Sequence, residues 1–237
     1  MSSTTRLFDI DASVAEIFPE IKIGFGIIRH VRVLAEHPEL EVLKSEVIRE
    51  VRENLGDRQI TTLPRVQAFR QIYKKFGVNP NSRRPSAEAL LRRIIDPGKD
   101  LYKVNTVVDA YNLVSAQYQL PMAAYDLDRL TLPIILRFAQ EGELHRAIGQ
   151  AMPEPLSAGE LVYADQHTIL CRDFNYRDAD ATKVTTETHN LIVFVDGCAE
   201  VESSQLLDAL KMASMRIVAF NGGEIDGSWI FPSSALF

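Results

Sequence analysis

Asn105, Asp109 and Asn112 stand four and then three residues apart, the spacing that brings side chains onto one face of a helix. Their neighbours from Val104 to Val114 are mostly apolar and include no lysine, arginine or glutamate. A merely solvated face carries those long charged side chains. Two amides and a carboxylate on an apolar helix therefore describe a partly buried polar strip, whose groups need partners. A ligand supplies them, or the protein's own backbone does. A second constellation is Cys171-Arg172-Asp173-Phe174-Asn175-Tyr176-Arg177-Asp178. If that segment stays extended, Asp173, Asn175 and Arg177 share one face. Asn175 and Arg177 would then offer donors for a carboxyl ester or an oxyanion. The alternative is a surface strand with routine ion pairs. In the third, Thr182 to Asn190, four threonines, Glu187 and His189 could line a polar pocket, with His189 an acid or base, or simply a packed or surface residue.

Charge adds a possible partner. The net charge of −6 argues against strong non-specific nucleic-acid binding, but its distribution is uneven. Between Arg65 and Lys103 ten bases face three acids, a net +7, while the rest of the chain is −13. A basic segment in an acidic protein is a phosphate-binding surface, or a set of solvated helix faces paired with acids elsewhere. The five histidines show no HExxH or HxxxH spacing, and Cys171 and Cys198 form no CxxC pair. No metal site and no cofactor is expected. Neither a GxSxG elbow nor a P-loop is present, which excludes the common serine-hydrolase, NTPase and dinucleotide-binding patterns. Gly24 and Gly26 lack a third glycine or a lysine and read as strand glycines or a bulge.

The elements that must position these groups fall into two halves. Expected helices are Asp11–Phe18 (capped by Asp9 or Asp11), Glu39–Leu55, Leu63–Phe76, Ala87–Ile95 (capped by Ser86) and Asn105–Tyr118. Ile21–Ile28, rich in β-branched residues, reads as a buried strand. The second half reads as strands: Ile134–Phe138, a hairpin of Leu161–Ala164 and Thr168–Phe174, Leu191–Val195, and Arg216–Phe220 after a helix at Ser203–Ala213. A turn at Asn221-Gly222-Gly223 follows. Early helices and later strands favour an α+β fold, a mixed β-sheet core with flanking helices. With no repeat, low-complexity tract or linker, residues 1–237 are expected to form one domain. No apolar run reaches the ~18 residues of a membrane span, and no secretion signal is visible, so the expected location is cytoplasmic.

Val107-Val108-Asp109-Ala110-Tyr111-Asn112, then Leu120-Pro121-Met122-Ala123-Ala124-Tyr125-Asp126, resembles the B3/B4 domain of the phenylalanyl-tRNA synthetase β subunit. Ile134 to Ala139, Gly142-Glu143 and Gly159 to Asp165 are similar to the strand, turn and hairpin that follow there. Ser82-Arg83-Arg84-Pro85-Ser86 resembles the opening motif of stand-alone members. The resemblance covers roughly Ser82 to Phe220, with residues 1–64 an extension packed on it.

It implies an editing pocket that hydrolyses mischarged tRNA, with the aminoacylated acceptor end as partner. The expected catalytic residues are Asn105, Asp109, Asn112, Asn175 and Arg177. Thr188, His189, Glu143 and Tyr111 would touch the amino-acid moiety. Arg83, Arg84, Arg92 and Arg93 would meet acceptor-stem phosphates. Two departures stand out. Ala123 occupies the place of a synthetase histidine, and the synthetase's glutamate aligns near Phe194. They keep open a non-catalytic module that binds tRNA or an amino acid. The acidic bulk of the chain also leaves open an enzyme acting on a small amino-acid ester or amide.

Overall fold

The computed structural model describes residues 7–232. The chain opens with β1 (Phe8–Ile10), α1 (Ala12–Ile17) and β2 (Lys22–Arg29). Four helices follow: α2 (Pro38–Leu55), α3 (Pro64–Lys75), α4 (Ser86–Ile95) and α5 (Thr106–Tyr118). The strand-rich part holds β3 (Met122–Asp126), β4 (Ile134–Phe138), β5 (Leu144–His145), β6 (Glu154–Pro155), β7 (Leu161–Ala164), β8 (Ile169–Arg172), β9 (Arg177–Asp178) and β10 (Leu191–Gly197). Then come α6 (Ser203–Asn221) and β11 (Glu224–Phe231). Asp11 caps α1 through its side chain, which accepts from the Ser13 N–H. The α+β expectation holds. Among the described residues no helix is long and apolar enough to cross a membrane.

The strands form a five-stranded sheet, β1-β4-β7-β8-β9, a four-stranded sheet, β11-β2-β10-β3, and the small β5-β6 pair. Only β1 and β4 pair in parallel among these. Aromatic rings join the two larger sheets. Phe8 of β1 lies 5.5 Å from Phe25 of β2 and 5.6 Å from Phe194 of β10. Tyr163 of β7 lies 5.4 Å from Phe194. α6 packs on the four-stranded sheet, where a side chain at Gly24 would meet Leu206 at 3.5 Å. Gly24 and Gly26 are thus strand residues, paired with Val195 and Val193 of β10. Of the segment before residue 64, β2 lies between β11 and β10.

Two expected strands need correction. Arg216–Phe220, expected as a strand, continues α6 to Asn221. Its β-branched residues favour a strand locally, but Leu206, Leu210, Ala213, Ile217 and Asn221 are buried at helical spacing, and packing overrides propensity. The strand lies further on, as β11, after a reversal through Gly222 and Gly223 at φ +66° and +85°. A side chain at Gly223 would sit 2.3 Å from the Arg29 carbonyl oxygen, so only glycine fits there. The second correction concerns Cys171–Asp178. It does not stay extended but turns between β8 and β9, with Asp173 and Phe174 in the left-handed region at φ +49° and +66°.

Candidate functional site

That turn decides which groups meet. Two successive left-handed residues are costly for side chains as bulky as phenylalanine. Burial of the Phe174 ring against Tyr163, centroids 6.0 Å apart, holds the turn in place. The strand alternation is broken, so Asn175 and Arg177 do not share a face. Asn175 is 9% exposed and points inward, while Arg177 is exposed.

Arg177 belongs to a cleft of about 850 Å³ between α4, α5, β3 and β9. α5 contributes Tyr111 and Asn112, α4 contributes Arg92 and Arg93, and the flanking loops bring Arg84, Lys99 and Tyr102. Among the described lining residues, five bases, Arg84, Arg92, Arg93, Lys99 and Arg177, face one carboxylate, Asp178. The Arg93 guanidinium lies 3.9 Å from the Tyr102 ring centroid, and Tyr102 is 61% exposed. The Arg84 Nε is buried and has no hydrogen-bond partner, which an anion would satisfy.

The cleft floor leads into a chamber of about 50 Å³, with Ser86, Met122, Tyr176 and Asp178 lining both spaces. Its polar groups come from distant segments. The Tyr163 hydroxyl donates to Asp196 Oδ1 at 2.6 Å, and Asn175 Nδ2 donates to Asp196 Oδ2 at 2.9 Å. Asn175 Oδ1 in turn accepts from the buried Tyr73 hydroxyl at 2.8 Å. The Tyr125 hydroxyl donates to Asp178 Oδ1 at 2.9 Å. Burial raises Asp196 to about 7, against the pull of Tyr163 and Asn175, and the charge of Asp178 adds to the rise. Asp178 is raised as well, first by burial. Burial likewise lifts Tyr125, Tyr163 and Cys171 well above their ordinary values, so they stay protonated. Two carboxylates with raised proton affinity thus lie at the end of a basic cleft.

The expected strip on α5 is split. Asn112 and Tyr111 line the cleft. Asn105 is instead the N-cap of α5: its Oδ1 accepts from the Val107 and Val108 N–H groups, and its Nδ2 donates to the Val184 carbonyl. Asp109 accepts from the Val104 N–H. Both are buried and neither lines the cleft or the chamber. Asn105→Ala is therefore expected to cost about 1–2 kcal/mol of stability, as for other caps. Urea unfolding of the variant tests this, and an unchanged midpoint would deny the cap its role.

Other expected contacts also lie elsewhere. Thr188 Oγ1 donates to Asp126 at 2.7 Å, and His189 is an exposed residue whose carbonyl accepts from the Val31 N–H. Glu143 is held by Arg137 at 2.7 and 2.8 Å. Arg83 is turned to Asp173 at 2.9 Å, whereas Arg84, Arg92 and Arg93 line the cleft. Ser86 does not cap α4 as expected. It is the first helical residue, its side chain makes no cap bond, and its buried Oγ has no partner. Asp196, Tyr125, Tyr163 and Tyr73 were given no role by type and spacing, and Asp178 stood in the second constellation without one. Only Asp196 left a local signal, a carboxylate inside the otherwise apolar run Leu191 to Gly197.

A family model described as B3/4 domain matches residues 68–219. The chain belongs to the B3/4 domain family. The match starts earlier than the expected Ser82 and takes in most of α3. B3/4 similarity extends to curated phenylalanine–tRNA ligase beta subunits. That of Bifidobacterium longum is 40% identical over 75 residues, 32% of this chain and 8% of the relative. That of Pectobacterium atrosepticum is 36% identical over 90 residues, 38% of this chain and 11% of the relative. The alignments thus span only about a tenth of those proteins' length. A crystal structure of an N-terminal fragment of the phenylalanyl-tRNA synthetase beta subunit from Pyrococcus horikoshii superimposes with a TM-score of 0.50 at 12% identity. It covers 98% of this chain and 56% of that fragment, a likeness of fold. In this B3/4 chain, Ala123 of β3 pairs directly with Phe194 of β10, and both line the chamber.

Proposed function

We propose that this B3/4 protein receives the aminoacylated 3′ end of a tRNA in its cleft and hydrolyses the ester. The observation that carries the reading is the union of a basic cleft with a chamber of buried carboxylates and phenols. Arg84, Arg92, Arg93 and Lys99 meet phosphates. Tyr102, backed by Arg93, offers a stacking face for an unpaired terminal base. Asp178, at the junction of cleft and chamber, takes a proton from water as that water adds to the ester carbonyl carbon. Arg177 and Asn112 donate to the oxygen that becomes anionic. The carbon–oxygen bond to the ribose then breaks, and the proton passes to the departing ribose oxygen. Asn175 acts one step back, holding Asp196 in place.

Single-turnover release of amino acid from a panel of mischarged tRNAs tests the reading. Accelerated release from at least one member is expected, and no release from any would overturn it. The apolar pair Ala123 and Phe194, at the positions where the family resemblance leads one to look for a histidine and a glutamate, favours a second reading. In it the cleft binds the aminoacyl end without turnover. Tight binding with no release separates the two.

The basic rim makes its own prediction. Replacing Arg84, Arg93 and Lys99 together by glutamate is expected to weaken tRNA binding roughly 100-fold or more and to reduce the salt slope by about 2 to 3. Filter binding across a salt series measures both. An unchanged slope would place the phosphates elsewhere.

A further inference from the structure

We infer that the amino-acid side chain accepted at this site is small and hydroxylic, that of serine or threonine, and not an aromatic one. The inference rests on the proposed aminoacyl-tRNA reading of the cleft and adds what the chamber selects. With Asp178 at the junction, the chamber beyond it is where the substrate's side chain goes.

Its size comes first. The chamber holds about 50 Å³, and a water-sized occupant takes about 10–15 Å³ on that measure, so it has room for roughly four small atoms. A hydroxymethyl or hydroxyethyl group fits, and a benzyl or phenol group does not. The walls are not free to retreat. Tyr125, Tyr163, Phe174 and Phe194 are each at most 3% exposed. Their rings pack on one another, with Tyr163 5.4 Å from Phe194 and 6.0 Å from Phe174, and Tyr125 5.9 Å from Phe194. Interiors packed in this way resist enlargement.

Chemistry comes second. A small chamber for an apolar methyl group would be lined by apolar atoms. This one carries Asp178, Asp196, Asn175 and the Ser86 hydroxyl. Asn175 and Asp196 are bonded to each other and Asp178 to Tyr125, but the buried Ser86 Oγ has no partner. Asp178 already accepts from the Tyr125 hydroxyl at 2.9 Å and from the Cys171 thiol, and a carboxylate has room for one further donor at the junction. A substrate hydroxyl that donates to Asp178 and accepts from Ser86 completes both. Alanine would leave the Ser86 hydroxyl unsatisfied, the situation in which hydroxyl-reading sites discriminate most strongly.

The test charges one tRNA body in turn with serine, threonine, alanine, phenylalanine and tyrosine and follows single-turnover release by the full-length protein. Release of serine or threonine is expected to be about 100-fold faster than that of either aromatic residue, and faster than that of alanine. Faster aromatic release would overturn the inference and leave the hydrolase reading standing. No release from any of the five would remove both. Ser86→Ala, which disturbs no cap bond, is expected to slow serine release about 10-fold more than alanine release. An equal fall for all substrates, with an unaltered melting temperature, would assign Ser86 no part in selection.

Discussion

Asp178→Asn is expected to slow ester hydrolysis by roughly 10²–10⁴-fold, the usual worth of a positioned general base, while tRNA binding stays within about twofold. The side chain lies where cleft and chamber join. Asparagine keeps an oxygen to accept from the Tyr125 hydroxyl, now at 2.9 Å, so β3 and β9 remain tied. What it loses is the capacity to take a proton. Because burial raises the proton affinity of Asp178, the carboxylate is a stronger base than an exposed aspartate. The wild-type rate should therefore climb with pH through a group titrating above the ordinary carboxylate range, and that limb should vanish in the variant. Stopped single-turnover assays across pH measure both. Full activity in Asp178→Asn would move the chemistry away from this junction.

Asp196→Asn should do the reverse to stability: the variant gains on the wild type as pH rises. Asp196 titrates at about 7 in the folded protein and near 3.9 when unfolded. Between those values the folded state holds a proton that the unfolded state has released. Wild-type stability therefore falls as pH rises through this window, by up to about 4 kcal/mol in all. The loss is complete above the folded value and absent below the unfolded one. Asparagine does not titrate, and its amide can still accept from Tyr163 while Asn175 reorients. Urea unfolding at pH 4.5 and pH 8 should show a stability difference between variant and wild type that grows by about 2–4 kcal/mol. A difference that is the same at both pH values would mean an ordinary, ionised carboxylate.

These two carboxylates show what a sequence yields and what it withholds. Helices with clear period, α2 through α5, and the buried strand at Leu191 were legible because their packing faces repeat locally. The fold was recognisable from the Asp109-to-Asn112 helix and the proline segment after it, and the basic segment did supply part of the cleft rim. The residues' partners were not legible. Asn105 and Asp109 have the spacing of a polar strip, yet the helix start consumes both, since free N–H groups there need acceptors. Asn175 and Arg177 part company because two left-handed residues precede them, and nothing in the type of Asp173 or Phe174 announces that conformation. The chamber gathers Tyr125 from β3, Tyr163 from β7, Asn175 from the turn and Asp196 from β10. Only the pairing of strands brings such residues together, so no spacing rule finds them.

β2 lies between β10 and β11, although it precedes the stretch that matches the B3/4 model, and β11 comes after that stretch. Cutting at the family boundaries would remove one flank of β10, the strand that carries Asp196, and bare a row of backbone amides beside the chamber. Anyone grafting this module onto another protein, or tracing its descent, must carry β2 and β11 along, because the hollow beside β10 borrows its backing from outside the borders by which its kin are recognised.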